Sequence, residues 1–210
     1  MKKLHYAAMI ACMTLTGASA FAQPLTGASD QDVMTVLKDS FAPVGEVSLD
    51  RLEQSPEQKA CSDMAATGQA IPKDVMEKLL KQAMASVKPP TDKQFLGDWK
   101  VGEKIAQSGV GLQFSDKPGV VSGGNCYACH QMTKSEIAFG NIGPSLLHYG
   151  KNRGNSVQML EYTWNKIYNS HAYTACSNMP RFGSAGILTE QQIKDVMALL
   201  FDPASPVNNE

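Results

Sequence analysis

Gly-Asn-Cys-Tyr-Ala-Cys-His, residues 124–130, is the stretch on which the reading of this chain turns. Within it Cys126-Tyr127-Ala128-Cys129-His130 spells C-x-x-C-H, the attachment signature of c-type haem. Two thiols three residues apart can share one helical turn and reach the two vinyl groups of a single porphyrin. The histidine directly after the second thiol then points its imidazole at the iron. The thioether bonds retain a haem that a small domain cannot bury deeply enough to hold by contact alone. One covalent haem c is therefore expected, attached through Cys126 and Cys129, with its iron held on one side by His130. Other uses of the motif fit less well. A zinc site needs two further ligands at similar spacing, and Cys61 and Cys176 stand isolated. A thioredoxin-type dithiol needs a βαβ setting, and strand-like alternation is absent. A plain disulfide across the motif leaves His130 unexplained.

The sequence downstream narrows the type. Four-helix-bundle cytochromes carry the motif near the C-terminus, whereas 80 residues follow His130. They include Gly-Asn-Ile-Gly-Pro-Ser-Leu (140–146), a loop of the kind that runs beside a proximal histidine. Pro144 has no N–H, but its carbonyl can accept the His130 Nδ1–H, which would fix the tautomer and raise ligand basicity. A turn-forming Gly-Pro without that contact is the alternative. For the far side of the iron, Met179 lies in Asn178-Met179-Pro180-Arg181-Phe182-Gly183, a polar loop with no helical face to fill. Cys176 and His171 are competitors for that position, because thiolate and imidazole also bind haem iron. His/Met ligation implies a comparatively high reduction potential and a closed iron.

Working outward, helical periodicity dominates and no internal repeat or low-complexity tract appears. Helices are expected over Asp30–Ser40, Lys73–Val87, Trp99–Gln107 and Val157–Tyr168. The strongest runs from Thr189 to Phe201, with Thr189 and Gln192 at capping-box spacing and an apolar stripe of Ile193, Val196, Met197, Leu200 and Phe201. Pro89-Pro90 separates an N-terminal helical extension (23–90) from a haem-carrying domain (91–203), with 204–210 as a tail. The extension has few aromatics, so it is expected to pack on the second region or on a partner. Long Gly-, Pro- and Asn-rich loops at 108–125, 139–155 and 170–188 suit a cofactor core wrapped by loops. Tyr149, Arg153, Tyr162, Trp164 and Arg181 are candidate contacts to the haem edge or its propionates, or else ordinary surface and core residues.

Residues 1–22 read as a cleavable export signal: Lys2 and Lys3, an apolar run from Tyr6 to Leu15, then Ala20-Phe21-Ala22 as an A-x-A cleavage site. The run is shorter than the roughly 20 residues that span a bilayer, so no membrane anchorage is expected after cleavage. The mature chain would keep 17 basic and 20 acidic residues. That balance, without a basic run, gives no reason to propose nucleic acid or anionic membrane as a partner. In an oxidising compartment Cys61 and Cys176 are most economically paired with each other, which would staple the extension to the loop carrying Met179. Two free thiols, or Cys176 at the iron, are the alternatives.

Together the motifs at 124–130, 140–146 and 178–183, over roughly residues 95–203, resemble SoxX, the small cytochrome subunit of the bacterial sulfur-oxidation system. That resemblance implies an all-α, class I cytochrome c fold with His/Met ligation, and a periplasmic heterodimer with a SoxA-type cytochrome. Such a complex, an L-cysteine S-thiosulfotransferase, oxidatively couples thiosulfate to a carrier-protein cysteine. The catalytic haem would lie in the partner, and this chain would pass electrons to a diffusible cytochrome. A free-standing class I electron shuttle is the runner-up. A haem peroxidase or ligand sensor is a third reading and requires an open iron.

Overall fold

The computed structural model describes residues 27–45 and 47–210, so the export signal expected over 1–22 lies outside the described residues. The α-helices are α1 (Asp30–Ser40), α2 (Pro56–Thr67), α3 (Lys73–Ala85), α4 (Trp99–Gln107), α5 (Tyr149–Arg153), α6 (Val157–Tyr168), α7 (Glu190–Phe201) and α8 (Pro206–Asn209). Short 3₁₀ turns occupy Leu49–Leu52, Cys126–Ala128 and Ser170–Ala172. No β-strand forms among the described residues beyond an isolated Val44–Val47 bridge, and the chain is all-α. No described helix is long and apolar enough to cross a membrane.

α7 organises the core. Thr189 caps it through the expected box with Gln192, and every residue from Ile193 to Phe201 is buried. A helix buried on all sides must bury polar groups too, and those need partners. Asp195 Oδ1 accepts from the Asp98 N–H and the Gln191 amide, both at 2.9 Å. Lys194, its side chain only 7% exposed, pairs with Asp92 at 2.7 Å and Glu190 at 3.1 Å. Glu190 in turn accepts from the Thr91 N–H and hydroxyl. The stretch 91–98 is thereby clipped along α7. α4 crosses α7 at Gly102, where a Cβ would run into the Asp195 carbonyl, so only glycine allows this approach.

The residues expected as a tail, 204–210, belong to this core instead. Val207 is fully buried and packs in the main cluster, and Ser205 Oγ donates to the Leu199 carbonyl at 2.7 Å. Glu210 accepts from the Ser135 N–H and hydroxyl. α7 ends at Phe201, two residues before Pro203, and the chain then turns back under it.

The N-terminal extension divides. α3 buries Leu79 and Ala83 and packs on the Ser170–Ala172 turn. Asn169 donates its amide to the Ala83 carbonyl and Ser86 Oγ, and Trp164 Nε1 donates to the Lys88 carbonyl at 2.8 Å. α3 stops at Ala85, two residues short of the expected Val87, where the Ser86 N–H takes the Gln82 and Ala83 carbonyls. By contrast, α1 and α2 bury no residue. Apolar Val33, Val36 and Phe41 remain exposed. What ties α2 to the body is the Cys61–Cys176 disulfide, with Cα atoms 5.6 Å apart across 115 residues of sequence.

Candidate functional site

The motif folds as a tight turn. Asn125 adopts a left-handed conformation and opens the Cys126–Ala128 turn, and the His130 N–H donates to the Cys126 carbonyl at 2.9 Å. Tyr127 points inward and is buried, while Cys126, Cys129 and His130 are half-buried. The two thiols are unpaired. Burial pushes the Cys126 thiol up to about 12, with Cys129 a lesser contributor and a backbone hydrogen bond opposing. A thiol held protonated is the reverse of the thiolate that a thioredoxin-type dithiol presents.

The 140–146 loop lies directly alongside. The Gly140 N–H donates to the Tyr127 carbonyl, Gly143 to Cys129 and Leu146 to Gln131, at 2.7–2.9 Å. Ser145 Oγ adds a bond to the Gln131 side chain at 3.0 Å. The approach depends on two glycines: a Cβ at Gly140 would strike the Ala128 carbonyl, and one at Gly143 would strike the His130 ring. His130 Nδ1 and the Pro144 carbonyl oxygen are 2.7 Å apart, the contact expected from sequence. A carbonyl can only accept, so Nδ1 carries the proton and Nε2 keeps a free lone pair.

That ring borders a cavity of about 490 Å³, within the size range of cofactor sites. Cys126, Cys129, His130 and Met179 all line it, together with Met132, Leu146, Phe182, Leu188, Val196 and Leu200. Two thiols, an imidazole with a free Nε2 and a thioether thus share one largely apolar chamber. Such a donor set can hold a flat apolar group through two thioethers and ligate a central metal. Among the described residues, no three His, Cys, Asp or Glu side chains gather closely enough to hold a metal by themselves. Ile142 stands 71% exposed on the chamber wall.

Met179 is held by its backbone: its N–H donates to Ser177 Oγ at 3.2 Å and its carbonyl accepts from Ser170 Oγ at 2.6 Å. Its two competitors sit elsewhere. Cys176 is consumed by the disulfide. His171 is buried, and it lines not this chamber but a second one of about 450 Å³. Residues 177–180 border both chambers and form the partition between them.

The other aromatic and basic candidates separate in the same way. Tyr149, Arg153 and Tyr162 line the first chamber, with the Arg153 guanidinium 5.3 Å from the Tyr149 ring centroid. Burial raises the Tyr149 phenol above its ordinary value, and its hydroxyl bonds Thr163 at 2.9 Å. Trp164 is a core residue with 1% exposure, and Arg181 faces the second chamber. Lys166 also lines the first chamber, its pKa lowered by burial, and nothing in its sequence setting marks it.

No protein-family model matches the sequence. Over 153 residues, 72% of this chain and 71% of the other, the sequence is 42% identical to an uncharacterized lipoprotein of Aquifex aeolicus (strain VF5).

Proposed function

Starting from a chain that belongs to the same family as that lipoprotein, we propose an electron-transfer cytochrome of class I type, carrying one haem c in the 490 Å³ chamber. The observation that carries this reading is the convergence of Cys126, Cys129, His130 and Met179, 53 residues apart in sequence at the extremes, on one apolar chamber. Cys126 and Cys129 would hold the haem by thioether bonds, and His130 and Met179 would ligate its iron. Bound there, the haem supplies one-electron exchange between Fe(II) and Fe(III).

The chain's own residues set the conditions for that exchange. The Pro144 carbonyl holds the His130 Nδ1–H, which aims Nε2 into the chamber and increases its basicity. Gly143 lets the loop press against the imidazole ring and limits its rotation. Apolar walls from Leu146, Phe182, Leu188 and Leu200 exclude water and favour the less charged redox state. Met179, fastened at both its N–H and its carbonyl, offers a neutral thioether.

The chain works outside the cytoplasm: its relative is a lipoprotein, and the Cys61–Cys176 disulfide suits an oxidising compartment. The periplasm is the compartment proposed. As the redox subunit of a SoxAX-type complex it would pair with a SoxA-type cytochrome, take electrons released as thiosulfate is coupled to a carrier cysteine, and pass them to a diffusible cytochrome. The exposed Ile142 at the chamber wall supports docking of an electron-transfer partner at that edge.

Expression with a cytochrome c maturation system tests the cofactor. The denatured wild-type chain should retain haem, and Cys126→Ala with Cys129→Ala should lose it. Met179→Ala should keep covalent haem but lose the far-red sulfur-to-iron absorption band. A colourless wild type would overturn the reading. Affinity purification from thiosulfate-grown cells decides the assignment: a co-purifying second c-type cytochrome supports the complex, and a lone haem chain supports the free shuttle.

A further inference from the structure

The Cys61–Cys176 disulfide stands at the wall of the second chamber, about 450 Å³, and both of its cysteines line that space. Gln58, Ser62 and Asn178 share the lining and are exposed, and the two cysteines are only half-buried. Bridges closed off in a core resist thiols, whereas exposed ones are the labile ones. Opening this bridge uncovers no core, because α2 buries no residue. Among the described residues, one hydrogen bond joins residues 27–71 to the rest of the chain: Arg51 Nη1 donates to the Leu112 carbonyl at 2.6 Å. α3, α4 and α7 pack without the arm. The arm can therefore separate by local opening while the body stays folded.

The charges around the two sulfurs differ in sign. Glu57 precedes Cys61 by four residues on α2, a spacing that puts carboxylate and sulfur on one face of the helix. On the other side, Lys166 Nζ donates to Thr174 Oγ1 at 3.3 Å, two residues from Cys176, and Arg181 lines the chamber. A thiolate is thus better tolerated at Cys176 than at Cys61, and a thiol whose anion is stabilised leaves faster. We propose that the bridge is a thiol-exchange site for a small thiol admitted by this chamber. The incoming thiolate attacks Cys61 Sγ, the S–S bond breaks, and Cys176 Sγ leaves as the thiolate. Cys61 then carries a mixed disulfide and α2 is released. A second thiolate attacks the outer sulfur of that mixed disulfide, which frees Cys61 as a thiolate and forms the small-molecule disulfide. Two thiols are oxidised and the protein bridge is reduced by two electrons. Attack of the Cys176 thiolate on Cys61 Sγ in the mixed disulfide expels the small thiol and closes the bridge again. Surrounding thiols thus decide whether the arm is held or free. The exchange uses no haem, so this site and the cytochrome reading fail separately.

The test incubates the full exported chain, with whatever prosthetic group it carries, with reduced glutathione under native conditions. Samples are alkylated at intervals and their peptides mapped, which scores Cys61 and Cys176 separately from Cys126 and Cys129. At early times Cys176 should be alkylated and Cys61 should carry glutathione. The rate should be proportional to the glutathione concentration and unchanged by guanidinium chloride too dilute to unfold α7. Hydrogen exchange in α7 should stay constant while the bridge opens. Arg181→Gln should slow the first step by about twofold or more, because the leaving thiolate loses a nearby cation. If that variant does not fold, the wild-type mapping and the dependence on thiol concentration still decide. Four results would each overturn the proposal: a bridge that resists glutathione until α7 unfolds, a rate independent of thiol concentration, glutathione on Cys176 in place of Cys61, or an Arg181→Gln variant that opens at the wild-type rate.

Discussion

The C-terminal body and the N-terminal arm are both helical, yet they are held by different physics. In the body, α7 buries every residue from Ile193 to Phe201, and even its lysine and aspartate are paired inside. In the arm, α1 and α2 have well-formed capping boxes and bury nothing. Caps, local charge pairs such as Lys59–Asp63 and one disulfide do there what packing does in the body. Regular secondary structure is thus no measure of how strongly a segment is fixed. Short helices without a buried face are marginal in water.

That contrast can be broken by substitution. Leu199→Ala, at a fully buried position, should cost about 2–5 kcal/mol in denaturant unfolding. A cost below that range would mean that the α7 core relaxes far more than its packing implies. Replacing Cys61 and Cys176 together by serine comes next. Loop-closure entropy for so long a loop suggests about 4–5 kcal/mol. The released arm regains freedom in the native state as well, so the expected loss is smaller, about 2 kcal/mol or less. Limited proteolysis between α2 and α3 should accelerate at the same time. Hydrogen exchange in α7 rising in step with cleavage would show that arm and body are one cooperative unit.

Acidification should loosen the clip along α7. Lys194 holds Asp92 below its ordinary 3.8, and the Thr91 and Lys194 bonds hold Glu190 below 4.5. Lowered carboxylates stabilise above their unfolded values and lose that contribution as the pH falls through their folded ones. Thermal stability should therefore drop as the pH passes below these ordinary values, and Lys194→Met should flatten that drop. An acid profile left unchanged in the variant would mean that the clip contributes nothing to it. Smallest of all, Val36→Ala on the exposed face of α1 should shift stability by less than about 0.5 kcal/mol.

Much of the molecule is legible in its residues alone, and the misses have physical reasons. α4, α6 and α7 carry apolar stripes against capping residues, so period and boundary agree. α2 escapes a reading by period because Ala60, Cys61 and Met64 make a weak stripe, although Ser55 and Gln58 form a capping box that spacing could reveal. α8 is too short to show a period, and the burial of Val207 comes from tertiary contact. α5 is hidden by Gly150, whose place in a helix is explained by its approach to Phe201. The site is clearer than the fold around it. Cys126, Cys129, His130, Pro144 and Met179 stand out by their chemistry and meet at one chamber. The second chamber is invisible in the sequence, because His171 and Arg181 come together through a loop fold that no motif announces.

The disulfide also gives the arm a mechanical role. A load applied near residue 27 can enter the body through the Arg51 side chain, whose Nη1 donates to the Leu112 carbonyl at 2.6 Å, across the Cys61–Cys176 bond, or along the backbone through α3. Because α2 buries nothing, the covalent crosslink takes up strain early, and it enters the body three residues ahead of Met179. Tension on the N-terminus would then be delivered across the crosslink to the loop that carries Met179, with the far end of the chain acting as a lever upon it.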